Sequence, residues 1–436
     1  MSDTVKNTGL FALVAVLIIW TGYAESWNLA LQILNMGLIS AIMALGVNLQ
    51  WGFAGLFNVG VMGFVAVGGL AAVLFSMPPV PEAFWAGGPR ALGSLVVGAG
   101  VIVAAVMVMK KMAAGRKRNL LVVAVLVGGF FLFRALFDPA VDAIEAVNSA
   151  STGYMGGLGL PVILAWPLGG VLAAGVAWVI GKTALGLRSD YLAIATLGIA
   201  EIIIAVMKNE DWLARGVKNV TGIPRPFITP REIDLQKDPG FVETVTNLGL
   251  DPVTASSLYV KLSYTLLFSV VLIILFILAQ RALKSPWGRM MRAIRDNEVA
   301  AMAMGKNVTK RHLQIFVLGS AICGLAGAMM TTLDGQLTPG TYQPLRFTFL
   351  IWVMVIVGGS GSNLGAILGG FLIYFFWIRV EQWGPDLMYF ITSGMADDSP
   401  LKMHLIDSAA HMRLLTMGLI LLLVLRFSPR GLIPEK

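Results

Sequence analysis

A lone carboxylate, Glu201, interrupts the apolar run LAIATLGIAEIIIAVM that ends before Lys208. It lies roughly 10 Å from that lysine if the run is a helix rising ~1.5 Å per residue. An acid at such a depth in a membrane costs on the order of 2–3 kcal/mol, so it must find polar company. Its place is the bundle interior or a water-filled path, where it could carry a proton or an ion. A polar contact between helices, or with a partner subunit, would also hold it. Other chemistries find no set of residues. Cys323 is the one cysteine and sits in an apolar run, which excludes an intrachain disulfide and a thiolate metal site. His312, His404 and His411 have no metal-ligand spacing. Gly181-Lys182-Thr183 ends like a phosphate-binding loop, but the pattern needs glycine at 176, which is Val176. Paired carboxylates and a Ser/His/Asp set are absent from the pattern, so catalysis within this chain is not expected.

The elements that must position Glu201 are membrane spans. With 57% hydrophobic and 13% charged residues, and a mean hydropathy of +0.79, the chain has too little polar surface to cover its apolar area in water. Forty-nine glycines suit closely approaching helices in lipid. Taking spans as runs of about 17–25 apolar residues, the candidates lie near 9–24, 28–50, 57–76, 91–109, 119–137, 161–181, 191–207, 259–281, 313–333, 346–358, 363–379 and 411–427. The tenth is short for a span. The first is expected to be a retained helix rather than a removed signal peptide, because no convincing small-residue cleavage site follows it. The expected fold class is therefore all-α: one polytopic transmembrane domain, 1–436, of about 10–12 helices.

The basic clusters decide the orientation. Lys110, Lys111, Arg116, Lys117 and Arg118, then Lys182 and Arg188, then the segment 284–312, then Arg426, Arg430 and Lys436 all fall on one side when the N-terminus is cytoplasmic. The C-terminus is then cytoplasmic too, and 138–160, 208–258 and 384–410 are the long outer loops. Pro224, Pro226, Pro230 and Pro239 in 208–258 argue for a folded extracytoplasmic cap.

Lys284–His312 is polar and mostly basic between two apolar runs. Met290, Met291, Ile294, Ala301 and Met304 recur at helical spacing, with Arg289, Arg292, Arg295 and Asp296 elsewhere on the wheel. That predicts one amphipathic helix outside the bilayer, opened by Pro286 and closed at Gly305. Its methionines suit an irregular protein groove and its arginines suit anionic lipid heads, so local physics leaves both partners open. Two glycine-punctuated stretches, Gly52–Gly60 and Gly358–Gly365, also break apolar runs. They mark either irregular backbone lining a polar cavity or tight turns between spans.

The run Ser285-Pro-Trp-Gly-Arg-Met-Met-Arg-Ala-Ile-Arg-Asp-Asn-Glu-Val-Ala-Ala-Met-Ala-Met-Gly305 resembles the cytoplasmic coupling segment of permease subunits of branched-chain amino acid ABC transporters. Ala44-Leu-Gly-Val-Asn48, Gly52-Phe-Ala-Gly55, Leu187-Arg-Ser-Asp-Tyr, Gly324-Leu-Ala-Gly-Ala328, Val357-Gly-Gly-Ser-Gly-Ser-Asn363 and Phe427-Ser-Pro-Arg-Gly resemble the same family, across roughly half the chain. Residues 78–160, with two further helices, the later part of 208–258, and 384–410 fall outside the likeness. In such importers a loop with Glu-Ala-Ala, three residues, then Gly docks on the ATPase. Glu298, Ala300, Ala301 and Gly305 are similar, with Val299 as an extra residue.

The resemblance implies that Arg289, Arg292, Ile294, Glu298, Ala300, Ala301, Met304 and Gly305 couple the chain to an ATPase. It also implies alternating access, with Asn48, Asn58, Thr196, Glu201 and Asn363 as expected path residues, and Thr221 and Gly222 as groups facing a binding protein or gating the path. The implied partners are a second permease subunit, two ATPase subunits that bind ATP and Mg, a periplasmic substrate-binding protein, and lipid of the bacterial inner membrane. No cofactor in this chain and no nucleic acid are expected. The implied substrate is a branched-chain or other small neutral amino acid. Urea or short amides are the alternative, as is an ion-coupled secondary transporter using Glu201.

Overall fold

The computed structural model describes residues 3–148, 151–396 and 399–435. Its helices are α1 (Asp3–Ala24), α2 (Trp27–Val47), α3 (Val61–Ser76), α4 (Pro81–Lys111), α5 (Arg116–Glu145), α6 (Val162–Ala184), α7 (Ser189–Asn209), and the short α8 (Asp211–Ala214), α9 (Glu232–Lys237) and α10 (Pro239–Asn247). They continue as α11 (Pro252–Lys284), α12 (Pro286–Asp296), α13 (Glu298–Ala303), α14 (Val308–Asp334), α15 (Pro344–Gly358), α16 (Asn363–Ile391), α17 (Pro400–Asp407) and α18 (Met412–Phe427). Their ends follow local chemistry. Ser26 caps α2 by accepting from the Leu29 N–H (3.2 Å), Asp251 caps α11 through Thr254 (2.9 Å), and α4, α11, α12 and α15 each open on a proline.

Ten helical stretches among the described residues are long and apolar enough to cross a membrane, the last of them running from α17 through α18 (Pro400–Phe427), and α3 and α15, of 16 and 15 residues, are shorter. This is a polytopic all-α membrane protein. Every apolar run in the sequence corresponds to a helix, the run 57–76 only from Val61, and several helices extend past their run. The run 363–379 was closed at Arg379, yet α16 continues to Ile391. The buried guanidinium does not end the helix: Glu25, in the turn after α1, and Gln382 (2.6 Å) accept from it. Short α15 is tolerated because protein surrounds it: Ile351, Val353, Val355 and Val357 are all buried.

The core is centred on α14, which packs against α2, α3 and α6. Small residues let the backbones meet. A Cβ on Gly68 of α3 would strike the Gly324 carbonyl of α14, and one on Gly327 would strike the Val65 carbonyl. Within lipid such close packing replaces the hydrophobic drive that holds soluble helices together.

Two regions stand apart from this core. Helices α4 and α5 pair along their length and meet the rest of the chain at one end, where Ala83, Phe137, Ala140 and Ile144 enclose Trp212. The basic turn at the other end is exposed. Residues 208–258 form α8, α9, α10 and the strand β1 (Val220–Thr221), which pairs antiparallel with β2 (Gln336–Leu337) beyond α14.

Candidate functional site

The amphipathic segment is two helices, not one. Asn297 breaks the expected helix by accepting from the Ala300 N–H (2.9 Å), which caps α13 and turns it away from α12. Gly305, at φ +75°, closes α13, and Asn307 caps α14 through Lys310 (2.9 Å). The break also divides the predicted apolar stripe. Met291, Ile294 and Ala301 are buried against the chain, whereas Met304 is 79% exposed, beside Met302 at 49% and Val299 at 72%. Glu298 and Ala300 are exposed with them. One face of the segment therefore grips the bundle, and another offers apolar and acidic groups outward. Arg289 lies along the join, donating to the Lys284 carbonyl (3.2 Å).

Arg295 connects α12 to the spans. Its Nη1 donates to the Gly52 carbonyl, where the helix of α2 ends, and to Glu435 Oε2 (2.8 Å) near the C-terminus. A helix end leaves carbonyls without partners and a partial negative charge, which a guanidinium satisfies. Burial works against the Arg295 charge, but the hydrogen bond and field of Glu435, with Asp296, outweigh it and hold the pKa above the ordinary arginine value. Arg292 approaches the same carboxylate more loosely, at 4.0 Å. Neither Arg295 nor Glu435 was singled out as a site residue from the sequence. They are 140 positions apart, and no local pattern joins them.

The two glycine-punctuated stretches meet beside this contact. After α2 the backbone widens into a π-turn, Asn48–Gly52, then runs irregularly to Gly60. Asn48 donates to Asn363 Oδ1 (3.1 Å) and accepts from the Gly361 N–H (2.8 Å). Gln50 donates to the Phe316 carbonyl (2.9 Å) and Ser320 (3.0 Å), and accepts from Asn58 (2.9 Å). Thr196 accepts from the Val59 N–H (3.1 Å). The structure thus brings Asn48, Asn58, Thr196 and Asn363 to one polar joint, all buried, with bonds made inside the chain. Asn363 also edges a cavity of about 310 Å³ with Arg292 and Glu435. Gln50, central to the joint, was missed because it reads as one more residue of an apolar run.

Glu201 lies apart from them. The face of α7 turned to the chain carries Leu192, Ala193, Thr196, Ala200, Ile204 and Met207, with Ala200 packed so closely on α3 that a Cβ on Gly63 would come within 2.9 Å of it. Glu201, one step further round the helix, is exposed beside Ile194 and Ile202. Of the places open to it, this excludes the interior of this chain's own bundle, because the small residues on the adjacent stripe take that side, and leaves a water-filled path or a contact with a partner subunit. Thr221 lies in β1, and the Gly222 N–H donates to the Gly335 carbonyl (3.1 Å) at the end of α14 remote from α12.

Comparison with known proteins agrees with this architecture. Residues 29–425 match the model of the family described as branched-chain amino acid transport system / permease component. The high-affinity branched-chain amino acid transport system permease protein LivM of Salmonella typhimurium is 30% identical over 234 residues, 53% of each chain, as is that of Escherichia coli K12. The matched stretch thus spans about half the length of these two relatives. A probable LivM of Methanocaldococcus jannaschii is 25% identical over 332 residues, 74% of this chain and 85% of its own. No solved structure matches. A family match over nearly the whole chain, on a helical membrane fold, places this protein in the branched-chain amino acid transport permease family.

Proposed function

We propose that this chain is the permease subunit of an ATP-driven importer of branched-chain or other small neutral amino acids, working by alternating access in a bacterial inner membrane. Its termini and α12–α13 are cytoplasmic, the side to which the basic clusters point. Two ATPase subunits carry ATP and Mg, and a binding protein delivers substrate from outside. The observation that carries this reading is the Arg295 contact, through which a displaced α12 pulls at once on the end of α2 and on the C-terminal segment against α16. The exposed Glu298, Val299, Met302 and Met304 are the surface offered to the ATPase, and Arg289, Arg292, Ile294 and Gly305 hold that surface in place.

Glu201 supports a second permease. A carboxylate on the outward face of a span cannot rest in acyl chains, so another subunit covers α7 and the translocation path runs against that face. Glu201→Gln is expected to lower uptake severalfold while the chain still inserts and co-purifies with its partners. Unchanged uptake would make Glu201 a structural contact only.

Purification from the native membrane tests the whole reading. An ATPase and a second permease are expected to co-purify, with ATP hydrolysis raised by a loaded binding protein, and Arg292→Ala with Glu298→Ala is expected to lose the ATPase. Recovery of this chain alone, with ion-driven uptake, would replace the importer by a secondary transporter. Uptake of urea or acetamide but not leucine would replace the substrate.

A further inference from the structure

Through its middle, α11 is tied to α6 and α14. Phe268 lies against the Trp166 ring (5.6 Å between centres), and the Tyr264 hydroxyl donates to the Thr332 carbonyl (3.4 Å). Further along, from Leu275 to Ala282, a cavity of about 350 Å³ separates α11 from the other two, floored by Ala321 and Leu325 of α14 and walled by Gly170 and Ala174 of α6. Its lining is apolar apart from the indole N–H of Trp287. Val171 and Leu278 on its rim are exposed, so it opens on the outer flank of the bundle, where a membrane protein meets acyl chains. The stretch Leu275–Ala282 covers roughly 10 Å of helix, about two thirds of one leaflet of a ~30 Å hydrocarbon core.

A second cavity, of about 540 Å³, meets the first at Trp287 and Leu318, by the opening turns of α14. Its character is different. Lys310 and Arg311 line it with Trp178, and the Lys182 ammonium sits 4.3 Å from the centre of that ring. Gln314 fixes the join, its Oε1 accepting from Arg311 (3.0 Å) and from Trp287 Nε1 (3.3 Å). Among the described residues no carboxylate lines either cavity. Indoles settle at the level of lipid headgroups, and basic pockets between spans attract anionic ones. An apolar groove within one leaflet that ends between two tryptophans and three cations has the outline of a single phospholipid.

We propose that the paired cavities hold one anionic phospholipid, its phosphate among Lys182, Lys310 and Arg311 and one acyl chain in the groove between α11 and α14. Charge complementarity selects a lipid over a partner helix, since the cations stand at the headgroup end of the groove and nowhere along it. The site is independent of the transported substrate. Trp287 belongs to α12, the helix that Arg295 ties to the end of α2, so a bound lipid joins that helix to α6 and α14 as well.

Retention of radiolabelled dioleoylphosphatidylglycerol by the purified transporter, this chain with its co-purifying membrane subunits, after washing in mild detergent, tests the site. Wild type is expected to hold it roughly tenfold better than dioleoylphosphatidylcholine, and glycerol 3-phosphate, the head without the chains, should not displace it. Lys310→Gln with Arg311→Gln is expected to weaken retention roughly tenfold or more, the scale of two charges at a membrane surface. Lys110→Gln with Lys111→Gln, which takes the same charge from the turn between α4 and α5, should leave it unchanged. Ala174→Phe fills the groove and keeps every cation. It too is expected to weaken retention of the diacyl lipid, with a wild-type size-exclusion peak. Equal retention of the two lipids by wild type, displacement by glycerol 3-phosphate, or unchanged retention in Lys310→Gln with Arg311→Gln or in Ala174→Phe would overturn the site. An equal loss in Lys110→Gln with Lys111→Gln would reduce it to diffuse surface charge and overturn it as well. A wild type that retains no phosphatidylglycerol, with Val171→Cys cross-linking to another membrane subunit, would give the groove to a protein instead.

Discussion

Gly327→Leu is expected to leave almost no folded chain in the membrane. The residue faces α3 with no room for a side chain, since even a Cβ would overlap the Val65 carbonyl, a backbone atom that cannot swing aside. Overpacking a core against movable side chains typically costs about 1–3 kcal/mol, and forcing two backbones apart costs more. Helix α14 would have to leave α3 along its length, and Phe316, Cys323, Ala326 and Met329, buried in that region, would lose their contacts. Lipid offers no hydrophobic compensation. Gly175→Leu is the matched control, because open space lies beside that glycine. Size-exclusion profiles of fluorescently tagged variants in mild detergent should show a wild-type peak for Gly175→Leu and aggregate or nothing for Gly327→Leu. A monodisperse Gly327→Leu would show that α3 and α14 lie further apart than a Gly327–Val65 contact allows.

Arg295→Gln is expected to separate ATP hydrolysis from transport. The amide can reach one of the two acceptors, not both, and loses charge-assisted bonds each worth about 1.5–3 kcal/mol. On the proposed importer reading the surface α13 offers to an ATPase is untouched, so docking and ATP hydrolysis are expected to persist. What is lost is the grip on the Gly52 carbonyl and Glu435, so uptake per ATP should fall roughly tenfold or more. Glu435→Gln should act in the same direction. The double variant should be little worse than either single one, since both remove the same contact. Wild-type uptake per ATP in Arg295→Gln would assign the push of α12 to another contact.

The spans were legible because apolar runs of this length have one reading, and the amphipathic segment because charge and methionine fall on separate faces. Its break at Asn297 was not. An asparagine inside a helical pattern is a cap only if the chain turns there, and the turn depends on Met291 and Ile294 being gripped while Met304 is not. Asn48, Asn58, Thr196 and Asn363 stand in the sequence as expected path residues, yet their company is set by pairings such as Asn48 with Asn363, 315 residues apart, which no window contains. Glu201 stands out by its cost in lipid, but which of bundle interior, water-filled path or partner subunit it faces is not written locally, because the direction of α7 is decided by Ala200 against Gly63 rather than by the acid.

The same polar joint sets a timetable for biosynthesis. Gln50 and Asn48 emerge early, but their partners Phe316, Ser320 and Asn363 follow 266, 270 and 315 residues later. At roughly 5–20 residues per second the amides wait about 15–60 s after leaving the ribosome before their acceptors exist. Bare amides in acyl chains cost several kcal/mol, so α2 and its π-turn are held beside the insertion machinery, or against one another's backbone, until α14 and α16 arrive. The permease closes on its first spans last.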